Sequence, residues 1–146
     1  MFKVFTKGGC FYKGSFNFLS EAEAYVAERA RWEKDLYIEE FTPKYAMECL
    51  WSDVNPYEIV RKISDLTYEV RAMKATISPS WKPEVLIGGF SGHTVNNDSQ
   101  EWIIESDETA PVTRIRYSRA KGRFFCKGGM RFVMEETPWK KYDYNF

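Results

Sequence analysis

Strand-like and helix-like patterns follow each other along the first 48 residues. The predicted strands, where apolar and polar side chains alternate, are Phe2–Thr6, Cys10–Phe18 and Leu36–Phe41, with a turn at Lys7-Gly8-Gly9. After the second strand, Ser20 and Glu23 have the spacing of a capping box, which marks a helix start. The run 21–34 is rich in Ala, Glu and Arg, so we predict that helix there. Residues 1–48 are therefore expected to form a ββαβ unit.

Short apolar runs separated by turn residues replace this pattern from Cys49 onward. The predicted strands are Tyr57–Ile63, Thr67–Thr76, Trp102–Glu105, Val112–Tyr117, Gly122–Cys126 and Arg131–Glu135. Gly, Pro, Ser, Asn and Asp cluster between them, as they do in turns. Regularly spaced short strands are typical of barrels and sandwiches. The predicted fold class is α+β, with the ββαβ unit at 1–48 and an antiparallel β-barrel- or sandwich-like domain at 49–146.

The composition is that of a small globular protein. The chain has 146 residues and a mass of 17.2 kDa, which fits one compact domain or one domain with a small appendage. Its first residues lack an apolar targeting segment, so we expect a cytoplasmic protein without membrane contact. Cys10, Cys49 and Cys126 are far apart and odd in number, which argues against a disulfide framework and against structural zinc.

Charge is separated along a chain whose formal net charge is +0 at pH 7. Residues 111–146 hold nine Lys or Arg against three Asp or Glu, whereas residues 49–110 hold five against ten. A cationic surface rich in rings suits phosphates and bases, or an acidic partner protein. The acidic middle block can offset part of the basic end, which weakens an argument from local charge alone.

Several motifs in residues 51–146 resemble those of a set of small proteins from bacteriophages, plasmids and bacterial genomes. These motifs are Trp51-Ser52-Asp53-Val54, Trp81-Lys82-Pro83, Gly88-Gly89-Phe90 with His93, Asn96-Asn97, Gln100, Trp102, Arg114-Ile115-Arg116 and the terminal Tyr142-Asp143-Tyr144-Asn145-Phe146. The resemblance implies a phage or mobile-element setting, hence the cytoplasm of a host cell. Small phage proteins often block a host factor, and by analogy this favours an inhibitor.

An enzyme is the least favoured class. His93 is the only histidine, so a general base at neutral pH would most naturally be this residue, with Ser91 or a cysteine as nucleophile. A polar loop histidine bonded to the backbone or to Asn96 is the plainer interpretation. We expect no metal and no cofactor, because one histidine with scattered carboxylates lacks ligand spacing. A small hydrolase or nuclease centred on His93 remains the third hypothesis.

A nucleic-acid or nucleotide binder is the second hypothesis. Arg114 and Arg116 alternate with Ile115 on a predicted strand and therefore share one face. With the nearby rings of Trp139 and Tyr142, they could form a charged groove with stacking platforms. Overall neutrality and a pI near 6.6 count against general duplex binding.

Protein binding is the leading hypothesis, with a host protein as the partner. Trp, Tyr and Arg dominate interface hot spots, and this chain is rich in them. The candidate partner-binding residues are Arg114, Arg116, Trp81, His93, Asn96, Trp102, Trp139 and Tyr142. The alternation of Tyr142, Tyr144 and Phe146 favours a last strand on the protein's own barrel over a segment that covers a partner.

Overall fold

A computed structural model describes residues 1–6, 9–88 and 92–145, and of residues 9–14 only the backbone. Part of the predicted first turn, Lys7 and Gly8, therefore lies outside the described residues. So do Gly89 and Phe90 of the glycine motif, the candidate nucleophile Ser91 and the terminal Phe146.

The strands in chain order are β1 Phe2–Thr6, β2 Gly9–Phe16, β3 Leu36–Glu40, β4 Tyr45–Cys49, β5 Val54–Ser64, β6 Thr67–Ala72, β7 Lys74–Ile77, β8 Val85–Leu86, β9 His93–Thr94, β10 Trp102–Glu105, β11 Val112–Ser118, β12 Arg123–Cys126 and β13 Arg131–Glu135. Helix α1 spans Leu19–Arg29, and a short 3-10 helix spans Asn97–Ser99. The α+β class is confirmed, because one α-helix accompanies strands throughout the described residues.

The N-terminal unit is a three-stranded antiparallel sheet with α1 packed on it. The strand order is β2-β1-β3, so the first strand of the chain lies in the middle. Val4 of β1 and Ala22 of α1 are fully buried, since the helix contacts all three strands. These elements have the predicted ββαβ order.

Helix α1 begins two residues earlier than the capping box predicts. Phe18 is the N-cap residue, and its N–H donates to the Glu21 carboxylate at 3.2 Å. A carboxylate three residues after the cap satisfies one N–H of the first turn, so Glu21 does what Glu23 was expected to do. The helix also ends earlier, at Arg29, and Asp35 then takes a φ of 63° before β3.

The body is a closed antiparallel barrel of six strands, not a sandwich. Its strand order is β11-β12-β13-β4-β5-β6, which returns to β11. Side chains alternate across its wall, so Ile115 is fully buried while Arg114 and Arg116 on either side of it are exposed. The interior cluster consists of Phe41, Ala46, Tyr68, Val70, Ile115, Phe124, Phe132 and Met134.

One barrel strand escaped sequence analysis. Strand β4 pairs with β13 and β5 and therefore lies in the barrel, although it begins at Tyr45. The consecutive residues Ala46 and Met47 of β4 are both fully buried, so the strand lacks the alternation of buried and exposed side chains that marks a half-exposed strand.

The predicted strand Thr67–Thr76 is two strands in the structure. The chain leaves the barrel after β6 at Met73, whose N–H donates to the Pro56 carbonyl at 3.0 Å. β7 then pairs with β10, and β8 pairs with β9, as two separate two-stranded sheets. Residues 73–111 thus form an excursion from the barrel between β6 and β11.

The two ends of the barrel differ in what covers them. The strand registers place the 50–53 turn, the 127–130 turn and the excursion at one end, which we call the loop end. At the opposite end lie the β5–β6 and β11–β12 turns, next to the N-terminal unit. The Asn17 side chain joins the N-terminal unit to the β5–β6 turn, since it donates to the Asp65 carbonyl at 3.1 Å. We call this end the helix end. No helix in the described residues has the length and apolarity needed to cross a bilayer.

We predict that Ile115→Ala lowers the free energy of unfolding by about 2–5 kcal/mol, because it leaves a cavity inside the barrel. Val112→Ala, on the exposed face of the same strand, is the control and should cost under about 0.5 kcal/mol. Chemical denaturation of both variants measures the difference. Equal losses would contradict the placement of Ile115 in the interior.

Candidate binding surface

The candidate residues divide into two groups that lie on different parts of the molecule. Arg114 and Arg116 lie on the outer wall of the barrel. The aromatic and polar candidates lie at the loop end, where each contacts residues next to it rather than another candidate; they are Trp81, Asn96, Trp102 and Tyr142. The structure therefore does not bring the arginines and the aromatic loops into one cluster.

A cationic face covers the outside of β11, β12 and β13. The register places Arg116 opposite Phe125, and Phe125 opposite Arg131 on the next strand. The cations of this face are Arg114, Arg116, Lys121, Arg123, Lys127 and Arg131. The Lys121 ammonium lies 4.9 Å from the centre of the Phe125 ring, in cation–π contact. A half-buried ring thus lies on this face beside Arg116, Lys121 and Arg131.

Little of this charge is neutralised locally. Arg114 pairs with Glu69 at 2.8 Å, and Glu69 also binds Arg61. Hydrogen bonds from these two arginines lower the pKa of the Glu69 carboxyl, so it stays ionised. Within residues 1–6, 9–88 and 92–145, no carboxylate lies within 4.0 Å of the cations of Arg116, Lys121, Arg123, Lys127 or Arg131. The charge of these five side chains is therefore not offset by an ion pair among the described residues.

Trp51 lies where the cationic face meets the loop end. It belongs to the β4–β5 turn, which the Leu50 N–H closes by donating to the Asp53 carbonyl at 2.9 Å. The Trp51 side chain is 92% exposed. It lines a surface hollow together with Leu50, Met130 and Arg131. A large ring, two aliphatic side chains and an arginine therefore adjoin one concave surface.

The thiol of Cys49 lies beside the same hollow. Burial raises the pKa of the Cys49 thiol above its usual value, while Arg131 and Arg123 lower it in part. Since the net shift is upward, the thiol stays protonated near neutral pH and is a poor nucleophile.

The C-terminal residues are held by side chains of the 94–100 loop, and we call this arrangement the C-terminal clasp. Gln100 accepts from the Tyr142 N–H at 3.0 Å and donates to the Tyr142 carbonyl, so its amide substitutes for a neighbouring strand. Asn97 accepts from the Tyr144 N–H and donates to Asp143 at 2.8 Å. The expected last strand is therefore wrong over 142–145: among the described residues of the tail, an isolated backbone bridge joins Lys141 to Val54.

Asn145 completes the clasp from the other direction. Its side-chain oxygen accepts from the Thr94 N–H at 2.7 Å, and its amide donates to the Thr94 carbonyl at 3.0 Å. Tyr144 packs against the buried Trp81 ring, with ring centres 5.4 Å apart. The Asp143 N–H donates to Asp53 at 2.8 Å. The clasp thus ties the tail to the turn that carries Trp51.

Two more candidate side chains have internal hydrogen bonds here. Asn96 accepts from the Glu84 N–H and donates to the Lys82 carbonyl, both at 2.8 Å, which holds the base of the β8–β9 hairpin. The Trp102 indole N–H donates to Gln100 at 3.0 Å, and the Lys140 ammonium lies 5.2 Å from the Trp102 ring centre. Burial lowers the pKa of Lys140.

His93 and Trp139 stand apart from these contacts. His93 is exposed on β9 opposite Leu86, and none of the described residues hydrogen-bonds its imidazole. The expected contact with Asn96 is not made, because the Asn96 amide is committed to Lys82 and Glu84. Trp139 is partly exposed ahead of the clasp.

Three residues of the surface are not among the candidates that the sequence predicts: Trp51, Phe125 and Arg131. Trp51 lies in a turn, and no periodic pattern marks a turn residue as exposed. Phe125 and Arg131 become neighbours only through the β12–β13 register. The available signal was the order of alternation in β12, where Phe124 and Phe125 must face opposite sides.

No group of three or more His, Cys, Asp or Glu side chains suited to a metal ion occurs in the part of the chain that the structure describes. In comparisons with known proteins, no family model, curated protein or solved structure matches the chain.

We predict that Asn145→Ala loosens the C-terminal clasp. It would leave the N–H and carbonyl of the buried Thr94 without partners, at a cost of roughly 1–3 kcal/mol. Amide hydrogen exchange in residues 142–145 should therefore become faster. Asp98→Asn, which removes only the exposed ion pair with Lys141, should leave that exchange unchanged. Equal exchange in both variants would contradict the structural role of Asn145.

Proposed function

We propose that this chain is a binding protein that captures an acidic partner protein through the cationic face and the Trp51 hollow. The observation that carries the proposal is Trp51, 92% exposed and joined in one hollow by Leu50, Met130 and Arg131. Exposed rings and arginines around an aliphatic patch have the composition of interface hot spots. Consistent with the resemblance of residues 51–146, we place it in a phage or mobile element.

Charge complementarity defines the partner. Five cations of the face have no carboxylate within ion-pair distance among the described residues, so an anionic surface would gain contacts without displacing internal ones. The hollow would accommodate an apolar side chain of the partner beside that charge. We therefore propose a host protein with a hydrophobic knob inside an acidic patch, which this chain inhibits or sequesters.

We predict that Trp51→Ala weakens partner binding by roughly 30-fold, the effect of losing a hot-spot ring worth about 2 kcal/mol. Partners would be captured from bacterial lysate with and without nuclease, then purified and titrated by calorimetry. Trp32→Ala is the matched control, because Trp32 is 79% exposed but lies in the N-terminal unit. If both tryptophan variants bind like the unaltered protein, the hollow is not the binding surface.

A second candidate, single-stranded nucleic acid, is favoured by one observation. Phe125 lies on the outer wall between Arg116 and Arg131, where a base could stack while the arginines contact phosphates. The leading proposal has the advantage that Leu50 and Met130 in the hollow offer nothing to a phosphate backbone.

For this second candidate, we predict tight binding of a fluorescent oligonucleotide that falls steeply with salt. The double substitution Arg116→Ala and Arg131→Ala should reduce both the affinity and the salt dependence. Arg71→Ala, which removes a cation paired with Glu58 elsewhere on the barrel, is the control. Fluorescence anisotropy at several salt concentrations measures both quantities. Salt-independent or absent binding would eliminate this candidate.

A further inference from the structure

A cavity of about 520 Å³ lies at the helix end of the barrel, and the Trp51 hollow lies at the opposite, loop end. One wall comes from the N-terminal unit, with Phe16 and Tyr25 in ring contact at 5.2 Å. The other wall is the barrel interior itself, reached at Phe124, Phe132 and Met134. Its volume is in the range of small-molecule sites, and barrel mouths are common places for them.

Two polar side chains of the wall, Tyr117 and Glu21, are engaged in hydrogen bonds within the protein. The Tyr117 hydroxyl donates to one oxygen of the Glu21 carboxylate at 2.7 Å, and the other oxygen accepts from the Phe18 N–H. Burial and this hydrogen bond raise the pKa of Tyr117, so the hydroxyl remains a neutral donor. What the wall offers a ligand is therefore chiefly rings and methionine, that is, an apolar surface.

The mouth of the cavity has the opposite character. Lys121 of the β11–β12 turn and Arg123 at the start of β12 line it, and both side chains are exposed. Neither has a carboxylate within 4.0 Å among the described residues, whereas the Glu21 oxygens are engaged. A ligand with an apolar body and one anionic head would fit both parts, since its tail would lie on the rings and its head would meet the two cations.

We propose that this cavity binds a small amphipathic anion, of the class of a medium-chain carboxylate. The site is separate from the proposed partner surface in its lining residues, apart from the two cations that the cavity mouth shares with the cationic face. Ligand binding there does not require that the partner proposal hold. It would also link the N-terminal unit to the barrel, because both supply walls.

The test uses three probes with the same ten-carbon chain: decanoate, decanol and decyltrimethylammonium. Displacement of a fluorescent anilinonaphthalene sulfonate measures their affinities, and methionine methyl signals in NMR locate the bound probe. We expect decanoate to bind tightest and to shift the signal of Met134, which lines the cavity. The Met130 signal, which reports on the Trp51 hollow, should not move.

Paired charge reversals test the role of the mouth. Lys121→Glu with Arg123→Glu should weaken decanoate binding by about tenfold or more, and that of decanol little. Lys127→Glu with Arg131→Glu makes the same charge change on the cationic face outside the cavity, and should leave decanoate binding close to that of the unaltered protein. Thermal melts establish that both double variants are folded.

Three results would overturn the proposal. Decyltrimethylammonium binding as tightly as decanoate would show that the mouth does not select an anion. A shift of Met130 in place of Met134 would move the probe to the hollow. Equal weakening in the two double variants would reduce the role of Lys121 and Arg123 to general charge. Loss of partner binding by Trp51→Ala bears on none of these, because Trp51 does not line the cavity.

Discussion

The pairing of β6 with β11 is the constraint on which the rest of the structure depends. It joins residues 67–71 to residues 112–116 and closes the barrel after an excursion of about forty residues. Closure removes free edges from the six strands and fixes which side chains face inward. Once Ile115 lies opposite Tyr68 in the interior, Arg114 and Arg116 must face outward. The cationic face follows from this register.

Closure also determines which segments lie at each end of the barrel. The excursion has to leave and return at the loop end. There the C-terminal clasp joins it to the tail through hydrogen bonds of side-chain amides. The helix end remains available to the N-terminal unit, which covers it incompletely and leaves a cavity. The proposed partner surface and the proposed ligand cavity can therefore change independently in sequence, except at Lys121 and Arg123, which adjoin both.

The strands with alternating side chains could be predicted, and the contacts between distant segments could not. The pattern of β11 predicts a strand because Ile115 lies between two arginines, whereas β4 has no such pattern because Ala46 and Met47 are both buried. The strand predicted for the tail does not form at 142–145, for a physical reason. Tyr142 and Tyr144 do alternate, yet amides of Gln100 and Asn97 bind their backbone in place of a strand. Hydrogen bonds from side-chain amides to the backbone produce no periodic pattern in the sequence.

The C-terminal clasp links the motifs at 96–97 and 142–145 to the turn that carries Trp51. A side chain as exposed as Trp51 makes a useful anchor only if its turn is already ordered, because ordering on binding would consume affinity. The Asp143 N–H donates to Asp53, and the Leu50 N–H donates to the Asp53 carbonyl, so Asp53 fixes that turn from both sides. Asn97 and Asn145 in turn hold Asp143 and its neighbours. In the proposed complex, the motifs at 96–97 and 142–145 would therefore act through Trp51, by positioning it, and need not touch the partner themselves.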